Sequence, residues 1–130
     1  MNRYMLFLDY DGVDLEFVLM DLDRLLRLCP DLGDAMIYRT DGGYHVIFPK
    51  SRLTAGERNA LLLYSRAHYG YKWFTIEVDS ATLRFTRKPT KGSCPPIYVA
   101  SYSRDRGLYY QKDLPISLDY RESWWRGEGR

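Results

Sequence analysis

Apolar and polar positions define the elements of this chain one after another. Tyr4–Tyr10 (YMLFLDY) is a mostly apolar run that ends in acids, the pattern of a buried strand. Leu15, Val18, Leu19, Leu22, Leu25 and Leu26 then recur at i, i+3, i+4, i+7, i+10 and i+11, a single apolar stripe along a helix. Asp14 can cap that helix, and Cys29-Pro30 ends it, because the residue before a proline avoids helical backbone angles. Ala35–Thr40 and Tyr44–Pro49 are β-rich runs separated by Asp41-Gly42-Gly43, a hairpin pattern. Thr54 followed by Glu57 is a capping box, which opens a second helix running to about Tyr69 with Gly70 as its stop. Trp73–Val78 and Thr82–Arg87 are further strands. A segment punctuated by Pro89, Gly92, Pro95 and Pro96 precedes two short strands, at Ile97–Ser101 and near Leu108–Tyr110.

The order strand–helix–strand–strand–helix–strand is the split βαβ arrangement of ferredoxin-like and RNA-recognition-like sheets. It predicts an α+β fold: a mainly antiparallel sheet of four or more strands, both helices on one face, and extra C-terminal strands. Right-handed crossovers place the first and third strands side by side and antiparallel in the middle of that sheet. The end of the first strand, with Asp9 and Asp11, then lies beside the start of the third, with Tyr44 and His45. No internal repeat or linker divides the chain, so residues 1–120 are expected as one domain with a tail over 121–130.

Composition narrows the class. With 130 residues, 45% apolar and 28% charged, the chain is globular rather than disordered. No stretch approaches the roughly 20 apolar residues of a membrane span, and the N-terminus lacks a signal-peptide pattern, so a cytoplasmic protein with no membrane partner is expected. Cys29, Cys94, His45 and His68 lie too far apart for a structural zinc site, and two buried thiols are expected rather than a disulfide. Two Asn and one Gln stand against fourteen Arg, a balance that thermophile proteins tend to show. The net charge of +2 hides an asymmetry: residues 1–49 hold four Lys/Arg against nine Asp/Glu, and residues 84–130 hold ten against five. Charge alone leaves two readings open, segregated solvated faces or an acidic metal site facing a basic phosphate-binding rim.

Several residues can carry such chemistry. Asp9 and Asp11 are one residue apart on a strand and share a face, where their mutual repulsion invites a hard divalent cation. The turn Thr40-Asp41-Gly42-Gly43 leads to His45, and its glycines allow backbone N–H groups close approach to an anion. Glu77 and Asp79 form another acid pair, followed by Arg84, Arg87, Lys88 and Lys91. A third carboxylate near bases suits phosphoryl transfer with a metal clamp.

Together these segments resemble the archaeo-eukaryotic primase superfamily, also called primase-polymerases. LFLDYD (Leu6–Asp11) looks like its hydrophobic-then-D-x-D motif. TDGGYHV (Thr40–Val46) resembles its second motif, and EVDSATLRF (Glu77–Phe85) with RKPTKG (Arg87–Gly92) is similar to its third. The resemblance covers about residues 4 to 92 and implies a nucleotidyltransferase acting in DNA replication. Asp9, Asp11 and Asp79 would hold two Mg²⁺ or Mn²⁺ ions. Thr40, Gly43 and His45 would contact a nucleoside triphosphate, with Arg84 and Lys91 as looser phosphate or template contacts, and the template would be single-stranded DNA or RNA. Larger members carry an extra N-terminal αβ unit, and many a zinc-binding stem. Neither is seen here, which implies a minimal core completed by a replication partner, or a relic that binds without catalysis.

Three rival readings stay open. LFLDYDGVD also looks like the first motif of haloacid-dehalogenase-like phosphatases, which require a parallel α/β sheet. A non-enzymatic RNA-recognition-like module would stack bases on aromatics such as Tyr4, Tyr44, Phe48 and Phe85. A replication-initiator endonuclease would want two histidines around one residue, and Tyr44-His45-Val46 offers one.

Overall fold

The computed structural model describes residues 3–67 and 96–112. They form an α+β fold: an open, antiparallel five-stranded sheet with two helices. The strands are β1 (Tyr4–Asp11), β2 (Ala35–Arg39), β3 (Gly43–Leu53), β4 (Ile97–Ser103) and β5 (Gly107–Tyr109), and the helices are α1 (Leu15–Leu28) and α2 (Ala55–Tyr64). The expected strands Trp73–Val78 and Thr82–Arg87 lie outside the described residues, as do Asp79, Arg84, Lys91, His68, Cys94 and the tail.

The sheet order is β1-β3-β2-β4-β5. As expected, β1 pairs antiparallel with β3, and β2 pairs with β3 through the predicted hairpin. Among the described strands, however, this pair does not hold the middle of the sheet, because β4 adds to the far side of β2 and β5 follows it.

Alternation along β1 sends Leu6, Leu8 and Tyr10 to one face and Met5 and Phe7 to the other, and all five are buried. The first face packs against Val18, Leu22, Leu25 and Leu26 of α1 and Leu61 and Leu62 of α2, so both helices share one side of the sheet. Each such side chain stabilises the fold by roughly 1.5–3 kcal/mol on burial. The second face carries a smaller cluster of Met5, Phe7, Met36, Tyr38 and Ile47.

The predicted caps form. Asp14 Oδ1 accepts from Phe17 N–H at 2.9 Å, and Thr54 and Glu57 cap each other's backbone at 2.8 and 3.1 Å. Two boundaries differ from expectation by more than two residues, each for a local reason. The second helix ends at Tyr64 rather than Tyr69: Ser65 takes extended angles, its hydroxyl donates to the Leu62 carbonyl at 2.8 Å, and Arg66 N–H leaves the helix to donate to Asp21 at 2.8 Å. The third strand runs past Pro49 to Leu53 across a bulge opposite β1. There the buried Ser51 hydroxyl accepts from Leu6 N–H at 2.8 Å and donates to the Phe48 carbonyl at 2.7 Å, bridging the break in the backbone ladder. Cys29 is a free thiol, half-buried against the helix-side core. No described helix is long and apolar enough to cross a membrane.

Candidate functional site

Because Leu8 and Tyr10 point toward the helices, Asp9 and Asp11 must point the other way, onto the face opposite α1. The register then decides what stands beside them. Asp9 is paired with His45, Tyr10 with Tyr44 and Asp11 with Gly43. His45 Nε2 lies 3.4 Å from Asp9 Oδ1, an ion-pair distance when the imidazole is protonated. The histidine is only 8% exposed, whereas Asp11 stands in solvent. The first-strand and second-motif residues therefore meet, as the topology rule required.

The turn between β2 and β3 is fitted to the end of β1. An added Cβ on Gly43 would lie 2.0 Å from the Tyr10 carbonyl oxygen, and one on Gly42 would lie 2.7 Å from Asp11 Oδ1. At position 43 only glycine permits this approach to backbone, whereas at 42 the exposed Asp11 carboxylate would have to swing aside. Gly12 N–H donates to the Gly42 carbonyl at 2.8 Å, and its φ of +70° turns the chain off β1 toward the Asp14 cap. Within the turn, Thr40 N–H donates to the Gly43 carbonyl at 2.9 Å, and Gly43 N–H donates to Thr40 Oγ1 at 3.0 Å. This modifies the expectation for both residues. Their polar groups satisfy each other, so the glycines act through close packing against β1, and a phosphate would have to share the Gly43 N–H.

Tyr10, between the two acids, anchors them from the opposite face. Its hydroxyl donates to Asp21 Oδ2 at 2.7 Å, and Asp21, 1% exposed on α1, also accepts from Arg24 and from Arg66 N–H. Burial, then the charge and hydrogen bond of Asp21, push the Tyr10 hydroxyl well above the usual tyrosine pKa. This network was not foreseen. Its signal was present: Asp21 sits three residues after Val18 and four before Leu25, on the apolar stripe itself.

The register also continues across the sheet. His45 faces Tyr38, and Tyr38 faces Tyr98 on β4, so Asp9, His45, Tyr38 and Tyr98 form one row over four strands. Tyr38 and Tyr98 meet edge-on with centroids 5.7 Å apart, and Tyr98 meets Tyr110 at 5.4 Å. Three of the four aromatics expected to stack bases behave otherwise. Phe48 is fully buried toward the helices, Tyr44 packs on the same side, Tyr4 is buried with the Arg58 guanidinium 4.4 Å from its ring centroid, and Phe85 lies outside the described residues.

Two carboxylates suit Mg²⁺ or Mn²⁺, which commonly take one or two from protein and the rest from phosphate and water. Among the described residues no group of three or more His, Cys, Asp or Glu is placed to hold a metal alone. The expected third ligand, Asp79, lies outside them, as do Arg84 and Lys91. A separate concavity of about 340 Å³ opens at the other end of the strands, lined by Leu26, Pro30, Asp34 and Arg104 among others, and contains none of the predicted site residues. Comparison with known protein families, with characterised proteins and with solved structures finds no match to this chain.

Proposed function

We propose that this chain is a metal-dependent nucleotidyltransferase of the primase-polymerase type, built on a ferredoxin-like βαββαβ core and acting on single-stranded DNA or RNA. The observation that carries the reading is the meeting of two separate segments: Asp9 and Asp11 at the end of β1, and the Thr40–His45 turn fitted against them, with His45 at 3.4 Å from Asp9. The strand neighbourhood β1-β3-β2, with α1 before β2 and α2 after β3, is compatible with that core.

In this reading Asp9 and Asp11 hold the cation from the face opposite α1, and Tyr10 keeps them in place through Asp21. A bound Mg²⁺ or Mn²⁺ would neutralise the triphosphate and the charge that develops when a 3′-hydroxyl attacks the α-phosphate. His45, beside Asp9, donates to a phosphate oxygen at the strand end, where the Gly43 N–H is shared between that phosphate and Thr40. Asp79 is the proposed third carboxylate, Arg84 and Lys91 the proposed phosphate contacts, and a replication partner would supply further walls of the site. An antiparallel sheet over the described strands counts against the phosphatase alternative, which needs a parallel one.

Calorimetry with a nucleoside triphosphate tests the proposal. Heat is expected with Mg²⁺ or Mn²⁺ and lost with chelator, and Asp9→Asn or Asp11→Asn should abolish it while the protein stays folded. His45→Ala should weaken triphosphate binding more than monophosphate binding. No heat with either ion would sink the enzymatic reading and leave a bare nucleic-acid-binding module.

A further inference from the structure

The row that begins at Asp9 changes character as it crosses the sheet. Its β1 end is acidic and its middle, Tyr38, is fully buried. Its far end is aromatic and open, because Tyr110 packs on Tyr98 yet is 71% exposed. Exposed large aromatics are usually held loosely, but this pair is tied down. The Tyr98 hydroxyl shares a hydrogen bond with Ser101 Oγ at 2.7 Å and accepts from Gln111 N–H at 3.0 Å, which fixes the backbone next to Tyr110. The Tyr98 ring is therefore braced by Tyr38 on one side and carries Tyr110 on the other. A rigid ring with an open surface is what a stacking contact requires, since little side-chain entropy remains to be lost on binding.

Cations stand on either side of Tyr110 along the chain. Arg106 lies over the neighbouring Tyr109 ring at 3.8 Å, which holds its guanidinium in place while leaving its N–H edges to solvent. Lys112 follows two residues after Tyr110 and is exposed. Among the described acids near them, Asp34 accepts a hydrogen bond from the Tyr109 hydroxyl, and Asp105 sits at the tip of the β4–β5 turn.

We infer that Tyr110, braced by Tyr98 and with Arg106 and Lys112 on either side of it along the chain, is a base-stacking contact for single-stranded nucleic acid. An unpaired base lies on the Tyr110 ring, its neighbouring phosphates lie against Arg106 and Lys112, and the strand is repelled from the acidic β1 end. Stacking on a tyrosine is indifferent to which base is present, so the contact tolerates any sequence. The inference supplies the strand-binding surface of the function proposed above and rests on that reading for its purpose, but on none of the metal-site residues.

Fluorescence anisotropy with a labelled 12-residue oligonucleotide tests it, in DNA and RNA versions, without metal and at low salt. Tyr110→Ala should weaken binding at least about fivefold, and Tyr110→Trp should retain it. Tyr98→Phe, which keeps the ring and releases Gln111, should give a smaller loss in the same direction. An abasic strand of equal length should bind wild type as weakly as the normal strand binds Tyr110→Ala. Replacing Arg106 and Lys112 with Ala should reduce the salt slope by about 0.7 per cation. Unchanged affinity for Tyr110→Ala, equal binding of the abasic strand, or no binding at low salt would each overturn the inference. Metal-dependent triphosphate heat, measured on Tyr110→Ala, separates the two proposals: it persists if only this surface is wrong.

Discussion

The two faces of the sheet are built from the same strands and do different work. The helix face is filled by Leu6, Leu8, Val46, Phe48 and the stripes of both helices, with Asp21 and its donors as the charged inclusion. The opposite face holds fewer aliphatics and keeps Asp9, His45, Tyr38 and Tyr98 in register. Alternation makes each face a constraint on the other, since Tyr10 cannot anchor to α1 without presenting Asp9 and Asp11 on the far side. The acids on one face are therefore held in place by packing on the other.

The largest effect should come from removing the charge on the helix face. Asp21→Ala leaves the Tyr10 hydroxyl, Arg66 N–H and Arg24 without their shared acceptor, and should cost about 3 kcal/mol. Urea unfolding would measure it, and a loss below about 1 kcal/mol would mean that the network is not a support.

Gly43→Ala comes next. A Cβ 2.0 Å from the Tyr10 carbonyl forces β1 and β3 apart at their ends, for a loss of roughly 2 kcal/mol by thermal melting. Hydrogen exchange should show faster opening at Tyr10–Asp11 with little change at Met36–Ile37. Uniform acceleration would mean that the glycine serves the whole sheet and not this corner.

How much of this was legible depended on whether the signal was local. The α1 stripe from Leu15 to Leu26, the Asp14 cap, the Thr54–Glu57 box and the Asp41-Gly42-Gly43 hairpin are short-range patterns, and each formed. The meeting of Asp9 with His45 was also readable, because the crossover rule fixes the neighbour of β1. The end of α2 at Tyr64 was not, since Asp21, 45 residues away, captures Arg66 N–H. Nor was the tyrosine row: it depends on β4 joining β2 and on a register shift between Ile37 and Tyr38. Tyrosines were too abundant for their spacing alone to select Tyr38, Tyr98 and Tyr110.

A smaller effect separates the anchor from the packing. Tyr10→Phe keeps the ring and loses the hydrogen bond to Asp21, for about 1–2 kcal/mol. It should also change the alkaline limb of stability. The folded Tyr10 pKa is raised, so the unfolded chain releases the proton first; the stabilisation is full below about pH 10 and is lost as pH rises beyond it. Tyr109, pushed up to about 12 by burial and by Asp34, contributes in the same direction between about pH 10 and 12. Tyr10→Phe should flatten the loss, and Tyr109→Phe should flatten it less. A curve unchanged by Tyr10→Phe would place the alkaline sensitivity elsewhere.

The central claim is that the β1 end of the face opposite α1 takes a divalent cation together with a triphosphate. Mn²⁺ binding, followed by water-proton relaxation with and without a nucleoside triphosphate, tests it most directly. Wild type should bind Mn²⁺ more tightly when the triphosphate is present, and Asp9→Asn and Asp11→Asn should each remove that gain while melting at or above the wild-type temperature. Equal Mn²⁺ affinity in wild type and both variants, with the triphosphate present, would contradict the account.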